Sequence, residues 1–357
     1  MAQSSQVVVE NTGESYVCPA DVILLDAALA AGLHMPHNCR GGACGTCKAQ
    51  ILDGEVDHGW VMSFAISDEE KAQGFCLACQ SKPLSPSLRL KMVNPMEARG
   101  ANEETIAPAE FSVDVLAAQK ATPSVLRLVV ALPRTAHFRF RAGMNMEFIL
   151  PDLDQPRPYS MANAPGADGM APGGQLEFFI TRHPEGRASG WLHAHARPGI
   201  SLAIRGPYGE FHLPRNADAP ILALAGGTGL SPILSLLTGE LRAGLSAPID
   251  LMFSVRDRGE AFALERLAAL ERRHANLRYR ITLTRENAAP DGWSVGRVPT
   301  LLATENRDLW RHIVLVAGAP SFVDDCADAA KRLGAPADRV HVDSFLPRAP
   351  GARPDFG

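Results

Sequence analysis

The chain has 357 residues, 46% of them hydrophobic and 21% charged, and a net charge of −4. That length suits two or three domains, each able to build its own core. There is no basic excess to hold a nucleic-acid backbone, the longest apolar runs, such as Ile221 to Ala225, are too short to span a membrane, and seven unevenly spaced cysteines do not suit a disulfide-stapled secreted domain.

The N-terminus shows no basic stretch followed by a long apolar one, so a cytoplasmic location is the default expectation, with no membrane or nucleic-acid partner. Residues 1–93 carry 10 acidic and 6 basic side chains, whereas the remainder carries 29 of each. An acidic first domain would favour a basic docking surface on a partner.

Residues 5–11 alternate as a strand, Asn11-Thr12-Gly13 reads as a turn, and a second strand follows. From Asp21 to Ala31, Leu and Ala recur at helical spacing, with Asp21 as the capping candidate. A glycine-rich cysteine loop comes next, then short strands near Ala49–Leu52 and after Leu84. The expectation is a compact α+β domain over residues 1–93. Pro95, Gly100 and Pro108 punctuate a linker over residues 94–108.

Phe111 to Ala131 gives two apolar segments split by Thr122-Pro123, and strand-like pieces recur at Met146–Leu150, Leu176–Thr181 and Ser201–Ile204. This predicts an antiparallel β-barrel or sandwich over residues 109–214. After Pro220, strand candidates at Ile221–Ala225, Asp250–Ser254, Arg278–Thr284, Ile313–Ala317 and Val340–Val342 alternate with helical stretches such as Ser231–Ala243. They predict an open α/β domain over residues 215–346. Residues 347–357, rich in Pro, Gly and Arg, read as a C-terminal tail.

The run Cys39-Arg40-Gly41-Gly42-Ala43-Cys44-Gly45-Thr46-Cys47 puts three thiols in one loop. Four thiolates satisfy two tetrahedral irons bridged by sulfides, as in a [2Fe–2S] cluster. Gly41, Gly42 and Gly45 permit the backbone angles that a tight wrap needs, and leave amides free to face sulfur. A structural zinc site is the alternative, but its usual spacing is two paired knuckles. Both Cys76 and Cys79 are available as the fourth ligand. Cys18 and Cys326, and whichever of that pair is not a ligand, read as small buried residues.

The first 93 residues resemble a plant-type ferredoxin. The C-x₄-C-x₂-C run carries the resemblance, and Leu77-Ala78-Cys79-Gln80 looks like that family's fourth-ligand segment. The resemblance therefore implies the set Cys39, Cys44, Cys47 and Cys79. Over about residues 5–345 the chain resembles the flavin-dependent reductase component of bacterial multicomponent oxygenases, with the ferredoxin domain first, in the ferredoxin–NADP reductase-like superfamily. The implied architecture is a plant-type ferredoxin domain, an antiparallel β-barrel flavin domain and an α/β nucleotide-binding domain.

Arg157-Pro158-Tyr159-Ser160 looks like the family's Arg-x-Tyr-Ser flavin motif. Arg157 offers a charged fork for a flavin phosphate, and Tyr159 a ring to pack along the cofactor. The resemblance implies a place for Ser160 near the flavin nitrogen that receives hydride. Gly186-Arg187-Ala188-Ser189-Gly190-Trp191 resembles a helix-start phosphate cradle, with Gly186 and Ser189 as binding candidates. Gly206-Pro207-Tyr208-Gly209 resembles the turn closing the flavin domain. The ferredoxin-first arrangement implies FAD rather than FMN. Trp191 reads as a packing residue, and His183, His193 and His195 lack the partners of a metal set.

Gly226-Gly227-Thr228-Gly229 joins a buried strand to a helix, where a dinucleotide pyrophosphate meets backbone amides. Asp257, after Ser254-Val255-Arg256, would accept bonds from a free ribose 2′-hydroxyl and repel a 2′-phosphate. NADH is the expected donor, with NADPH possible. Trp293-Ser294-Val295-Gly296-Arg297-Val298 resembles a further landmark of the family. Where the family usually has Cys-Gly, this chain has Ala317-Gly318, so no sulfur is available to shape the hydride-transfer site. Asp343-Ser344-Phe345 resembles the family's acidic-x-Phe ending, which implies that Phe345 covers the flavin; core packing is the other reading.

The expected route is from NADH to FAD to the [2Fe–2S] cluster, and then to the terminal component of an aromatic-ring dioxygenase or its ferredoxin. Ser160 and Phe345 are the residues expected nearest the chemistry. Alternatives are a reductase of a diiron monooxygenase, a reductase of a deoxysugar biosynthesis system, and a non-enzymatic ferredoxin-like electron carrier.

Overall fold

The computed structural model describes residues 4–345 except 34, 38, 39, 41, 43, 44, 62–64, 95–105, 107, 152, 154, 155, 215–217 and 306. Most of the expected linker and the whole 347–357 tail lie outside these described residues. Internal contacts divide the chain into two units. One holds the described residues up to Ala109 with Tyr208–Glu210, and the other holds Glu110–Pro207 with Phe211–Phe345.

In the first unit, strands β1 (Ser4–Val9), β2 (Glu14–Pro19), β3 (Lys48–Asp53), β5 (Phe75–Leu77) and β7 (Ser87–Met92) form a sheet in the order β2-β1-β7-β3-β5; β4 (Val56–Asp57) and β6 (Lys82–Pro83) pair separately. β1 and β7 run parallel, with Val7 opposite Leu88 and Val9 opposite Leu90. Each strand alternates exposed and buried positions, so one face is apolar. Helix α1 (Leu24–Ala30) supplies Leu24, Leu25 and Ala28 to the same core.

Asp21 is not the cap of α1. The capping position is Ile23, and no side chain bonds to it. Leu24 N–H donates to Ser81 O at 2.9 Å and Leu25 N–H to Ala78 O at 3.0 Å. The first-turn amides that a cap would satisfy are taken by carbonyls flanking Cys79. Helix α2 (Asp68–Ala72) is the opposite case. Its Ser67 hydroxyl accepts from Glu70 N–H, and the Glu70 carboxylate accepts from Ser67 N–H, a reciprocal capping box.

The second unit opens with a six-stranded sheet: β8 (Ala109–Lys120), β9 (Val125–Ala131), β10 (Asn145–Ile149), β11 (Arg157–Ser160), β12 (Gln175–Thr181) and β13 (Ser201–Tyr208), in the order β11-β10-β13-β8-β9-β12. Its two edges meet. Met161 bridges Phe178, Ala162 N–H donates to Glu177 O at 2.7 Å, and Asn163 bonds to Gln175 O and Glu177 N. Closing the sheet leaves no strand edge open at this seam. Phe138, Phe140, Phe148 and Phe178 fill the interior, and helix α3 (Arg187–His195) adds Ala188 and Leu192.

The rest of this unit is a parallel sheet: β14 (Ile221–Gly226), β15 (Ile249–Val255), β16 (Leu277–Leu283), β17 (Ser294–Val295), β18 (Ile313–Gly318) and β19 (Val340–Ser344), in the order β17-β16-β15-β14-β18-β19. Helices α4 (Leu230–Arg242), α5 (Leu264–Arg273), α6 (Val298–Thr304) and α7 (Pro320–Arg332) cover it. Both faces are buried, so the central strands are continuously apolar. Ala223, Ala225, Leu315 and Ala317 enter one core, while Leu222, Leu224, Val314 and Val316 enter the other. The strand order reverses between β14 and β18, which opens a crevice at their carboxyl ends. No helix among the described residues is long and apolar enough to cross a membrane.

Candidate functional site

In the first unit, Cys47 and Cys79 are both buried, and Ala78 N–H donates to Cys47 O at 3.0 Å, so the segments carrying them are adjacent. Cys39 and Cys44 lie outside the described residues. The described residues around them, Arg40, Gly42 and Gly45, suit a tight wrap. Arg40, Gly42 and Gly45 all have positive φ, and a Cβ at Gly42 would come within 2.5 Å of Trp60 O. Arg40 is held from two sides, by the Asp26 carboxylate and by the Tyr208 ring 3.5 Å beneath its guanidinium. Gln80 donates to Arg40 O at 2.8 Å, tying the loop to the Cys79 segment. Soft thiol donors at Cys47 and Cys79, on adjacent segments, suit an iron–sulfur cluster.

Cys76 is set differently. It lies opposite Ala49 in β5, fully buried, and burial pushes its thiol up to about 12 despite a hydrogen bond with Ser81. A thiol so reluctant to ionise suits packing rather than ligation. Cys18 and Cys326 are also buried, and burial raises both thiols.

In the second unit, Arg157, Tyr159 and Ser160 lie on β11, beside the barrel seam. Arg157 donates to Pro156 O at 3.3 Å. Tyr159 sets its ring at 90° to Phe148, centroids 5.3 Å apart, and burial raises its phenol above the usual range. Ser160 is buried, and its hydroxyl lies 3.3 Å from Asp343 Oδ2 on β19. That contact joins the flavin-motif strand to the last strand of the parallel sheet.

Gly186 stands at the start of α3. A Cβ there would meet Ser189 Oγ at 2.5 Å, and that hydroxyl accepts from His183 N–H and donates to Gly186 O. Ser189 therefore shapes the turn that starts α3. Gly190, one turn on, faces open space. His193 bonds to Ile180 O, and His195 bonds to Trp191 O and stacks on the Trp191 ring.

The Gly226–Gly229 turn sits at the switch point between β14 and β18. Gly227 has φ +53 and nothing within 4 Å of a built Cβ, which leaves room for a pyrophosphate. Thr228 Oγ1 lies 3.1 Å from Thr181 Oγ1 of the barrel. A Cβ on Gly229 would come 2.0 Å from Ala317 O, so the turn needs glycine there to pass β18. Ala317 is fully buried. Asp257 follows β15 in extended backbone, half-buried, while Arg258 beside it is engaged by Glu286. Phe345 N–H donates to Gly318 O at 2.8 Å, which continues β19 to the crevice. Open space at Gly190 and Gly227, beside helix and turn amides, fits FAD and a dinucleotide respectively.

Comparison with known proteins agrees with this layout. Residues 7–84 match the 2Fe-2S iron-sulfur cluster binding domain, residues 112–213 the oxidoreductase FAD-binding domain, and residues 223–328 the oxidoreductase NAD-binding domain. The chain is 33% identical over 342 residues, 94% of its length and 99% of the relative's, to the ferredoxin–NAD(+) reductase component of the alkene monooxygenase system of Xanthobacter autotrophicus. The chain belongs to the oxygenase reductase components of the ferredoxin–NADP reductase-like family.

Two further similarities cover nearly the whole chain. One is to the ferredoxin–NAD(P)(+) reductase component of the naphthalene 1,2-dioxygenase system of Pseudomonas putida, 29% identical over 91% of this chain and 93% of that one. The other is to the crystal structure of an Amycolatopsis cytochrome P450 reductase, with TM-score 0.85 and 29% identity over 97% of this chain and all of that one. This reductase is therefore an NADH-dependent oxidoreductase with [2Fe–2S], FAD and nucleotide-binding domains in the order expected from the sequence. The Asp343 partner of Ser160 was not foreseen. Its only sequence signal was the acidic-x-Phe ending.

Proposed function

We propose that this reductase delivers electrons to the terminal component of an aromatic-ring dioxygenase or to that system's ferredoxin. When bound, FAD would supply the conversion that a two-electron donor, NADH, and a one-electron acceptor, the [2Fe–2S] cluster, require. The observation that carries the electron-transfer reading is the Ser160–Asp343 bond, which joins β11 to β19, the neighbour of the crevice strand β18.

In this reading, Arg157 binds a flavin phosphate as a charged fork, and Tyr159 lines the cofactor. Gly186 and Ser189 shape a helix start that receives the pyrophosphate. Gly226, Gly227, Thr228 and Gly229 hold the nicotinamide dinucleotide, and Asp257 accepts from its free ribose hydroxyl. The Ser160 hydroxyl donates to Asp343, which fixes its rotamer and would leave its oxygen lone pairs available to a bound flavin. Phe345 covers the flavin and excludes water. Cys39, Cys44, Cys47 and Cys79 hold the cluster.

The segment Arg157-Pro158-Tyr159-Ser160-Met161-Ala162-Asn163 and the naphthalene dioxygenase relative support the aromatic-ring acceptor. The higher identity to the alkene monooxygenase reductase supports a monooxygenase as the second reading. Anaerobic NADH titration, followed by mixing with purified dioxygenase and monooxygenase components, tests both. Reoxidation of the cluster by the monooxygenase component alone would reject the dioxygenase reading.

A further inference from the structure

The loop and first helical turn that follow Asp257 touch the flavin barrel three times within seven residues. The Glu260 carboxylate accepts from Thr122 Oγ1 at 2.7 Å and from Ser124 Oγ at 2.5 Å, both in the turn between β8 and β9. Phe262, buried, sets its ring 4.6 Å from that of Phe179 on β12, and also packs edge-on to Phe253 of its own sheet at 5.3 Å. Arg266, on α5, donates to Glu177 Oε2 at 2.8 Å and to Ala162 O at 2.9 Å.

The last of these contacts falls on the barrel seam. Ala162 is two residues beyond Ser160, and its own N–H pairs with Glu177 O. Glu177 is oriented from behind by Arg127, whose Nε lies 2.6 Å from its other oxygen. One guanidinium thus grips a carboxylate and a carbonyl at the point where the flavin-motif strand closes the barrel. The charge-assisted bond is well shielded, with the Glu177 side chain only 14% exposed.

Between the aromatic contact and the arginine, Ala263 has φ +56 and ψ +23. A non-glycine residue in the left-handed region is disfavoured and persists where its surroundings fix it. Here the contacts on either side of Ala263, at Phe262 and Arg266, both reach the same barrel.

We propose that Glu260, Phe262 and Arg266 form a clasp that sets the separation of the nicotinamide and flavin sites, with Arg266 as the residue that positions the Ser160 strand. The inference rests on the reading that NADH reduces a flavin held by that strand. It assigns a positioning role to residues whose contacts run from the parallel-sheet domain to the barrel. The clasp begins three residues after Asp257, so a nucleotide held at Asp257 is held by a segment already fixed to the barrel. Hydride transfer is steep in donor–acceptor geometry, and a small misplacement costs rate rather than binding.

The test uses the full-length holoprotein with Arg266→Ala, Arg266→Lys and Thr122→Val. In anaerobic stopped-flow at saturating NADH, Arg266→Ala is expected to slow flavin reduction by about 10-fold or more while the KM for NADH changes little. Arg266→Lys, which keeps one charged bond, restores most of the rate, and Thr122→Val gives a smaller loss. Electron passage from photochemically reduced flavin to the cluster stays at the wild-type rate. Without NADH, hydrogen exchange at residues 258–273 and 120–125 quickens in Arg266→Ala. Slower reduction without quicker exchange, or quicker exchange at a wild-type rate, overturns the clasp. If NADH fails to reduce the wild-type flavin, the underlying reading falls, and the exchange result still decides whether the clasp exists.

Discussion

Ser160 Oγ donates to Asp343 Oδ2 across 3.3 Å, and both residues are buried. The two belong to different subdomains, the flavin barrel and the parallel sheet. Ser160→Ala removes the hydroxyl while β11 keeps its pairing with β10. It is expected to slow flavin reduction by NADH by roughly 10²-fold, the lower end of what loss of one positioned hydrogen-bonding group costs. Asp343→Asn, which keeps a partner for the hydroxyl, is expected to lose less. Single-turnover flavin absorbance measures both, and equal rates in Ser160→Ala and wild type would reject the role.

The two neighbouring thiols are separable by mutation. Cys79→Ser is expected to abolish the cluster absorption and the EPR signal of the reduced protein. Cys76→Ser retains both, because its sulfur packs in the core and resists ionisation. The substitution buries a hydroxyl in place of a thiol, so it lowers the melting temperature. Cluster loss in Cys76→Ser with retention in Cys79→Ser would reverse the assignment.

Gly229→Ala tests the nucleotide turn. The added methyl would stand 2.0 Å from Ala317 O, and backbone on both sides cannot yield as a side chain would. The turn must shift, at about 1–3 kcal/mol or more. The expected result is a raised KM for NADH with FAD and cluster spectra unchanged. An unaltered KM would show that the turn does not bind nucleotide.

Acid is expected to weaken the second unit through His341. Burial, then the neighbouring His212, hold its pKa below the usual histidine value, and its Nε2 has no hydrogen-bond partner. Between the lowered folded pKa and about 6.5, the unfolded chain binds more protons than the folded one, so stability falls as pH drops through that window. His312 is lowered in the same direction. Glu240, raised by burial, acts with the opposite sign, in a window that starts near the ordinary carboxylate value. The melting temperature should fall as the pH drops below about 6.5, and His341→Gln should flatten that fall. An identical slope in the variant would clear His341 of the effect.

The sequence by itself determined the three cofactor domains and their order. The C-x₄-C-x₂-C loop, Arg157–Ser160 and Gly226–Gly229 are local runs, so the resemblance to the family and the expected cofactor roles could be read from neighbours along the chain. The alternation of apolar strands and helices after Pro220 was legible for the same reason, since a doubly covered strand is a continuous apolar run. Long-range pairing was not legible. Asp343 meets Ser160 across 183 residues, and only the fold of β19 beside β18 brings them together. The first amides of α1 find Ser81 and Ala78, so the local cap signal at Asp21 misled. The barrel seam, with Arg266 reaching Ala162 and Glu177, follows from closure of a sheet whose edges are distant in sequence. Local runs thus reveal the three domains, while tertiary packing decides how the barrel and the parallel sheet are held together, because the bonds that fix it join residues with no local signal to one another.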